Sequence, residues 1–508
     1  MNTLAALARV EAFAAEQAVA LATVRHVHLA PHPLVLVPIL LAGEAAAPLA
    51  ALVGTDRADP QLLVVRQPRD RDQRFAFLAD LARIVVDYIE GRRGETELVE
   101  ATRNHEEWER HLDAPQLIVP NCGGIDALRL LGRSARFRSS QGPYPVDPLV
   151  PILGRYLTWF AEDRAPTAGS SVCLALTDVL GSHWATGQSA LEDQHLAALL
   201  AWIVPQHFAP PDGRHLTGAQ AAALTEDPAR WPSAGPATDP EFDTEILSPL
   251  VTALQRAAGD PAAERRAEDG LRAALRDRLA PTWNLMWQGI DLLAGLPEAG
   301  HDSHRWMVDR GRFTDFARAI DEGAAPQPRR EGAVAAAKRL ADLESAQESY
   351  DKQRALDDPL ILAGYRVTGE AFAGSVVAVD AERQDTTGRT PKPRPHVWLR
   401  TADPVVLRKG TKVACAQRPN QRPVIVDVKR EGEEYIVELE LVDGMGRRAI
   451  PEEGSVPGAG EYRCYSTVLA AERFPPPPLP ELAATPWTHG GPPAAYTPTG
   501  ADHDEEWH

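Results

Sequence analysis

Cysteine is scarce: Cys122, Cys173, Cys415 and Cys464 are spread over 508 residues with no CxxC pair among them. That spacing excludes a zinc ribbon and a disulfide framework, so reduced thiols are expected. Long hydrophobic runs are also missing. The longest, PLVLVPILLAG over 33–43, contains a proline and is about half of a membrane span, so it reads as a strand. The start MNTLAALARVEAFAAEQ lacks a basic n-region and carries Glu11 and Glu16 where a secretion signal is apolar, so a cytoplasmic protein without membrane contact is expected. The phosphate-cradling pattern GxxxxGK(S/T) is absent, which excludes a self-contained P-loop motor. No solenoid-type repeat is found.

Positive charge is the minority sign, 53 Lys/Arg against 71 Asp/Glu for a net charge of −18. An acidic chain repels polyanions over long range, so a local cationic surface is where it would accept one. One such surface is encoded. Between Arg383 and Arg430 stand twelve cations (Arg383, Arg389, Lys392, Arg394, Arg400, Arg408, Lys409, Lys412, Arg418, Arg422, Lys429, Arg430) and three acids (Asp385, Asp403, Asp427), a net of +9. Alanine, arginine and proline are frequent throughout, as in proteins of high-GC bacteria. A single arginine therefore means less than a cluster.

With 44% hydrophobic residues the chain can bury sizeable cores, and its length suggests about three domains. The fold class expected is α+β and multidomain: a mixed α/β domain (1–140), an all-helical domain (141–330), a connecting helix (331–360), a small β-barrel (361–470) and a Pro-rich acidic flexible tail (471–508). In the first domain, a helix over 2–22 precedes apolar strands at 34–41, 49–53 and 62–65. In 75–89, Phe77, Leu78, Leu81, Ile84, Val85 and Tyr88 recur at helical spacing. A strand at 117–119 leads through PNCGG into a helix at 125–131. In the second domain, capping boxes Ser189/Glu192 and Thr217/Gln220 mark helix starts. Further helices are expected at 244–258, 261–278 and 283–293, with Trp283 and Trp287 sharing a core face. The helix at 333–356 has only a thin stripe of Leu340, Leu343, Tyr350 and Leu356, which suits an element lying across another. Beyond it the period shifts to two, with strands at 375–380, 397–400, 412–415, 423–428, 435–441 and 462–468.

The segments AKRLADLESAQESYDKQRALDDP, GEAFAGSVVAVDAERQD and RPHVWLRTADPVVLRKGTKV resemble the stalk helix and accessory β-barrel of superfamily 1 helicases, over residues 333–468. The resemblance implies a barrel that leans over a nucleic-acid channel. With no motor motifs in the chain, it implies an accessory module or a motor's partner.

The residues themselves point the same way. TTGRTPKPRP over 386–395 is expected to form a long exposed hairpin loop with Arg389, Lys392 and Arg394, and with His396 and Trp398 at its base. Cations beside an aromatic ring suit a single strand, because phosphates pair with the charges while a base stacks. The alternative is a solvated turn with Trp398 in the barrel core. Arg408 and Lys409 complete the expected nucleic-acid surface, and neutralising five phosphates would give a salt slope of about −4 to −5. In the tail, Trp487 and Trp507 are expected to dock a protein partner. The leading expectation is a non-catalytic accessory protein that binds single-stranded nucleic acid and works with a separate helicase or nuclease, in DNA repair or defence against foreign DNA. No cofactor or metal is expected.

Two other classes stay open. One is an enzyme with its site near Cys122 in the PNCGG turn or near His183 in HWATGQSALED, where Ser189, Glu192 and Asp193 concentrate polar groups. A tight turn and a helix cap explain the same residues without chemistry. The other is a protein-interaction scaffold. Histidine sets His26/His28/His32, His105/His111 and His301/His304 lack the completing cysteine or carboxylate of a metal site and read as surface.

Overall fold

Strands Leu34–Leu40 and Pro48–Gly54 are apolar at nearly every position, and both are buried along their whole length. Such strands need cover on both faces, and period-two alternation divides their side chains between two cores. Leu34 and Leu36 join one core, while Val35, Val37 and Ile39 join the other. The structure is a computed structural model describing residues 3–44, 46–102, 106–211, 213–233, 235–324, 327, 331–387, 391–446, 450–470, 478–489 and 491–492.

The central sheet has five strands in the order Gln61–Val64, Pro48–Gly54, Leu34–Leu40, Leu117–Val119, Cys173–Ala175. The first three form an antiparallel meander, and the last two pair in parallel. Helices Arg71–Glu90, Cys122–Ala135, Leu149–Thr158 and Asp302–Asp321 cover one face. Leu176–His183, Leu196–Ile203 and Pro261–Ala294 cover the other. Strand Cys173–Ala175, helices Leu149–Thr158 and Asp302–Asp321 of one layer and the whole of the other layer come from beyond residue 140, so one α/β body runs across the expected boundary. The reason is topological: the strands at 34–40 and 117–119 need partners and cover that only later segments supply.

Local corrections follow from packing. The first helix ends at Ala15, where Glu16 takes a positive φ of 50°, and Val19–Ala20 pairs with Trp184–Ala185. The helices expected at 261–278 and 283–293 are one helix, Pro261–Ala294, with Pro281 inside it. Burial of Leu279, Trp283, Met286 and Ile290 in the second core carries the helix past the break a proline would otherwise make. The Thr217/Gln220 capping box starts helix Gly218–Ala223, whereas Ser189 and Glu192 cap only the short turn Glu192–Gln194.

Helix Ala333–Asp357 lies across the body and buries only Ala355. Asp358 caps the next helix, Pro359–Thr368, which Gly369 ends in the left-handed conformation. The C-terminal sheet then curls like a barrel: six antiparallel strands in the order Ala414–Cys415, Tyr462–Ser466, Ala371–Asp380, His396–Thr401, Glu434–Glu440, Val424–Glu431. Its edges meet, since Gly410 N–H donates to the Ile425 carbonyl, Ile425 to Thr411, Val413 to Pro423 and Cys415 to Gln421. Phe372, Val397, Leu399, Val437, Leu439 and Tyr465 fill the interior. Among the described residues, no helix is long and apolar enough to cross a membrane.

Candidate functional site

The barrel surface is set by strand alternation. Val397 and Leu399 point inward, so His396, Trp398 and Arg400 belong to the outer side of the strand. Trp398 is therefore a half-buried outer residue, not part of the barrel core. Its cross-strand neighbours are Ala378 and Glu438. His396 beside it is bonded by Glu438 at 2.7 Å and Glu440 at 3.2 Å. Carboxylates thus frame the aromatic ring, where the sequence suggested cations.

The cations divide into tied and free. The Arg394 guanidinium donates to the carbonyls of Pro393 and Val442, at 3.1 and 3.0 Å. Lys392 is exposed, and Asp385 lies directly across from it in the hairpin of Gln384–Asp385 with Lys392–Pro393. Arg389 and Trp507 lie outside the described residues. Arg408 and Lys409 are exposed at the turn where Thr411 N–H donates to the Arg408 carbonyl and Gly410 adopts φ +85°. Among the described residues, no acid pairs with either. Other island cations meet acids: Arg383 with Glu440, Arg400 with Glu431 and Glu434, Lys429 with Asp427. Exposed pairs of this kind contribute little stability, but they cancel local potential. Trp487 is 66% exposed, and its segment lies against the start of the helix at 333, with Leu482 and His489 close to Gly332.

The other candidate residues serve structure. Asn121 caps helix Cys122–Ala135, and the Gln194 side-chain carbonyl accepts from the Cys122 N–H at 3.2 Å. The glycines of PNCGG are packing requirements, because a Cβ on Gly124 would stand 2.8 Å from Val119 and one on Gly123 2.7 Å from Pro236. Burial, with Asp178 and Asp126 nearby, pushes the Cys122 thiol up, the opposite of an activated nucleophile. Among the described residues, the side chains of His183, Glu192 and Asp193 share no hydrogen-bond partner. His183 is buried between the Val179 carbonyl and the His26 N–H, and Asp193 is held by Arg9, Thr186 and Gln188. Among the described residues, no group of three His, Cys, Asp or Glu could hold a metal ion.

What sequence reasoning missed is a buried polar layer at the foot of the connecting helix. His26 pairs with Asp358 at 3.3 Å, His28 with Asp302 at 3.2 Å and His301 with Asp357 at 2.6 Å. Three of the histidines expected on the surface, His26, His28 and His301, are thus partnered by carboxylates, while His32 and His304 are exposed as expected. Arg305, 5% exposed, stands between Asp302 and Asp357 and over the Tyr350 ring, which Arg354 also approaches. Burial, reinforced by Arg354 and His183, lowers His26 to about 4 despite its bond to Asp358. Burial works to raise the Asp358 carboxyl, but the N–H groups of Thr23 and Leu360, the Thr23 hydroxyl and His26 together hold it low. The pair is therefore a neutral imidazole donating to a carboxylate. No spacing signal announces this layer, since its three pairs join residues 332, 274 and 56 positions apart in the chain.

No family model matches this chain, and no curated protein or solved structure matches it either.

Proposed function

We propose that this protein is a non-catalytic nucleic-acid-binding accessory protein in which the barrel rim holds a single strand and a separate helicase or nuclease does the work. The observation that carries the reading is the pair Arg408 and Lys409, exposed on a tight turn with no acid paired to either among the described residues. Lys392, on the hairpin of Gln384–Asp385 with Lys392–Pro393, adds a third exposed cation. The helicase and the repair or defence setting rest on the resemblance of residues 333–468 alone. A helix followed by a curled sheet accords with that resemblance, and the exposed Trp487 remains the residue proposed to dock the partner.

Three contacts, not five, set the expected salt dependence. At about −0.7 per phosphate for single strands, log K should fall with log salt at a slope of about −2. The test is fluorescence anisotropy with labelled single-stranded DNA and RNA at two salt concentrations. Replacing Lys392, Arg408 and Lys409 together by alanine should abolish most of the affinity and flatten the slope. Equal affinity in the triple variant would remove the proposal.

A further inference from the structure

Strand Cys173–Ala175 is an edge of the central sheet: it pairs with Leu117–Val119 on one side and, among the described residues, with no strand on the other. The register fixes which of its backbone groups are used. Leu117 N–H donates to the Val172 carbonyl and Thr177 N–H to the Pro120 carbonyl, so in this parallel ladder Leu174 turns both its N–H and its C=O toward Leu117–Val119. The Cys173 N–H and C=O and the Ala175 N–H therefore point away from the sheet, and among the described residues nothing bonds to them. The Ala175 carbonyl, at the N-cap, is engaged by the first turn of Leu176–His183.

A cavity of about 420 Å³ lies along this edge, with Cys173, Leu174 and Ala175 as its floor. The side chains of Cys173 and Ala175 enter one core and that of Leu174 the other, so these residues turn their backbone edge to the cavity. One wall is the face of Cys122–Ala135 that carries Cys122, Asp126 and Arg129. The other is the face of Leu176–His183 that carries Asp178 and Ser182. These two helices cover opposite faces of the sheet, so the space between them, beyond the last strand, is where a sixth strand would lie. Backbone groups at a covered edge need partners, and an extended chain satisfies N–H, C=O and N–H at this spacing together.

The walls add a charge preference. Asp126, Arg129 and Asp178 are the ionised groups lining the cavity, and Arg129 is already bonded to Asp126. Asp178 meets the neutral Gln194 amide at 2.9 Å. The carboxylate in excess suits a cation on the ligand.

We propose that this groove binds an extended peptide segment of a partner protein, added to the sheet as a sixth strand, with a lysine or arginine directed at Asp178. About three residues, roughly 10 Å of extended chain, cover the edge from Cys173 to Ala175. The inference does not rest on nucleic-acid binding at the barrel.

The test pans phage-displayed random octapeptides on the full chain and titrates the selected peptides calorimetrically. They are expected to carry lysine or arginine and to bind saturably. In hydrogen–deuterium exchange at single-amide resolution, the Cys173 and Ala175 amides should exchange fast in the free chain while the Leu174 amide is protected. Bound peptide should protect all three. Ala175→Pro deletes an edge donor that the ladder does not use, at a φ of −87° that lies close to the proline value. It should keep the wild-type melting temperature and lose at least about ten-fold in affinity. Asp178→Asn, which keeps an oxygen for Gln194, should lose a similar factor. The proposal is overturned if no peptide binds, if both variants bind like the wild type, or if bound peptide leaves the Cys173 and Ala175 amides unprotected. Protection of those amides in the free chain, as under a segment of this chain itself, would also overturn it. The result is separable from the barrel reading, because the Lys392/Arg408/Lys409 variant should bind the peptide as the wild type does.

Discussion

Asp309→Asn and His26→Gln should tilt the pH dependence of stability in opposite directions. Asp309 is buried, and burial pushes its carboxyl from 3.8 up to about 6 against the Ser171 N–H, Arg164 and the Ser170 hydroxyl, which favour ionisation. Between those values the folded chain holds a proton that the unfolded chain has released, so this group's contribution falls as pH rises. His26 does the reverse. Its folded value is about 4 against 6.5, so in that interval the unfolded chain holds the extra proton and stability falls as pH falls. Each displacement corresponds to about 3 kcal/mol. The two windows nearly coincide, so the effects offset each other in the wild type. Urea unfolding followed by tryptophan fluorescence in half-unit steps from about pH 4 to 7 would separate them. Relative to wild type, Asp309→Asn should gain about 3 kcal/mol with rising pH, and His26→Gln should lose about as much. Only the shapes of the profiles are compared, so the packing cost of each substitution drops out. Parallel profiles for all three proteins would refute the reasoning.

Two further outcomes test the packing and the thiol chemistry. Gly154→Ala should destabilise the body by about 1–3 kcal/mol in urea unfolding, because a Cβ there overlaps the Arg136 backbone where Cys122–Ala135 meets Leu149–Thr158. In iodoacetamide labelling read by mass spectrometry, the exposed Cys122 should react first, yet more slowly than a free thiol, since burial and the two aspartates raise it. Buried Cys173, Cys415 and Cys464 should label only after unfolding.

Periodicity made the meander at 34–64, the helix Arg71–Glu90 and most barrel strands legible, because each buries a face that its own alternation announces. Strand Cys173–Ala175 was not legible. It has three residues within an apolar helical context, and only the parallel pairing with Leu117–Val119 makes it a strand. Pro281 misled for the opposite reason, as local chemistry argues for a break that tertiary burial overrides. The polar layer of His26, His28, Asp302, Arg305 and Asp358 is invisible for a third reason: every member looks like surface until distant segments pack around it.

The basic island shows how far charge counted along a chain can differ from charge in space. Over 383–430 the count is twelve cations to three acids, but over 371–470 it is fifteen to fourteen. The acids arrive immediately after the island, in EGEEYIVELE over 431–440. The hairpin of Val424–Glu431 with Glu434–Glu440 folds them back, and Glu440 and Glu438 also sit opposite His396 and Trp398 of the next strand. A sheet therefore brings neighbouring segments of opposite sign into register, and cations inside the ladder lose their reach. Cations on turns, beyond the register of any acidic strand, keep theirs. That geometry explains why Arg400 is matched by Glu431 and Glu434, whereas Arg408 and Lys409 meet no acid among the described residues, and it leaves the unmatched positive charge on the turns.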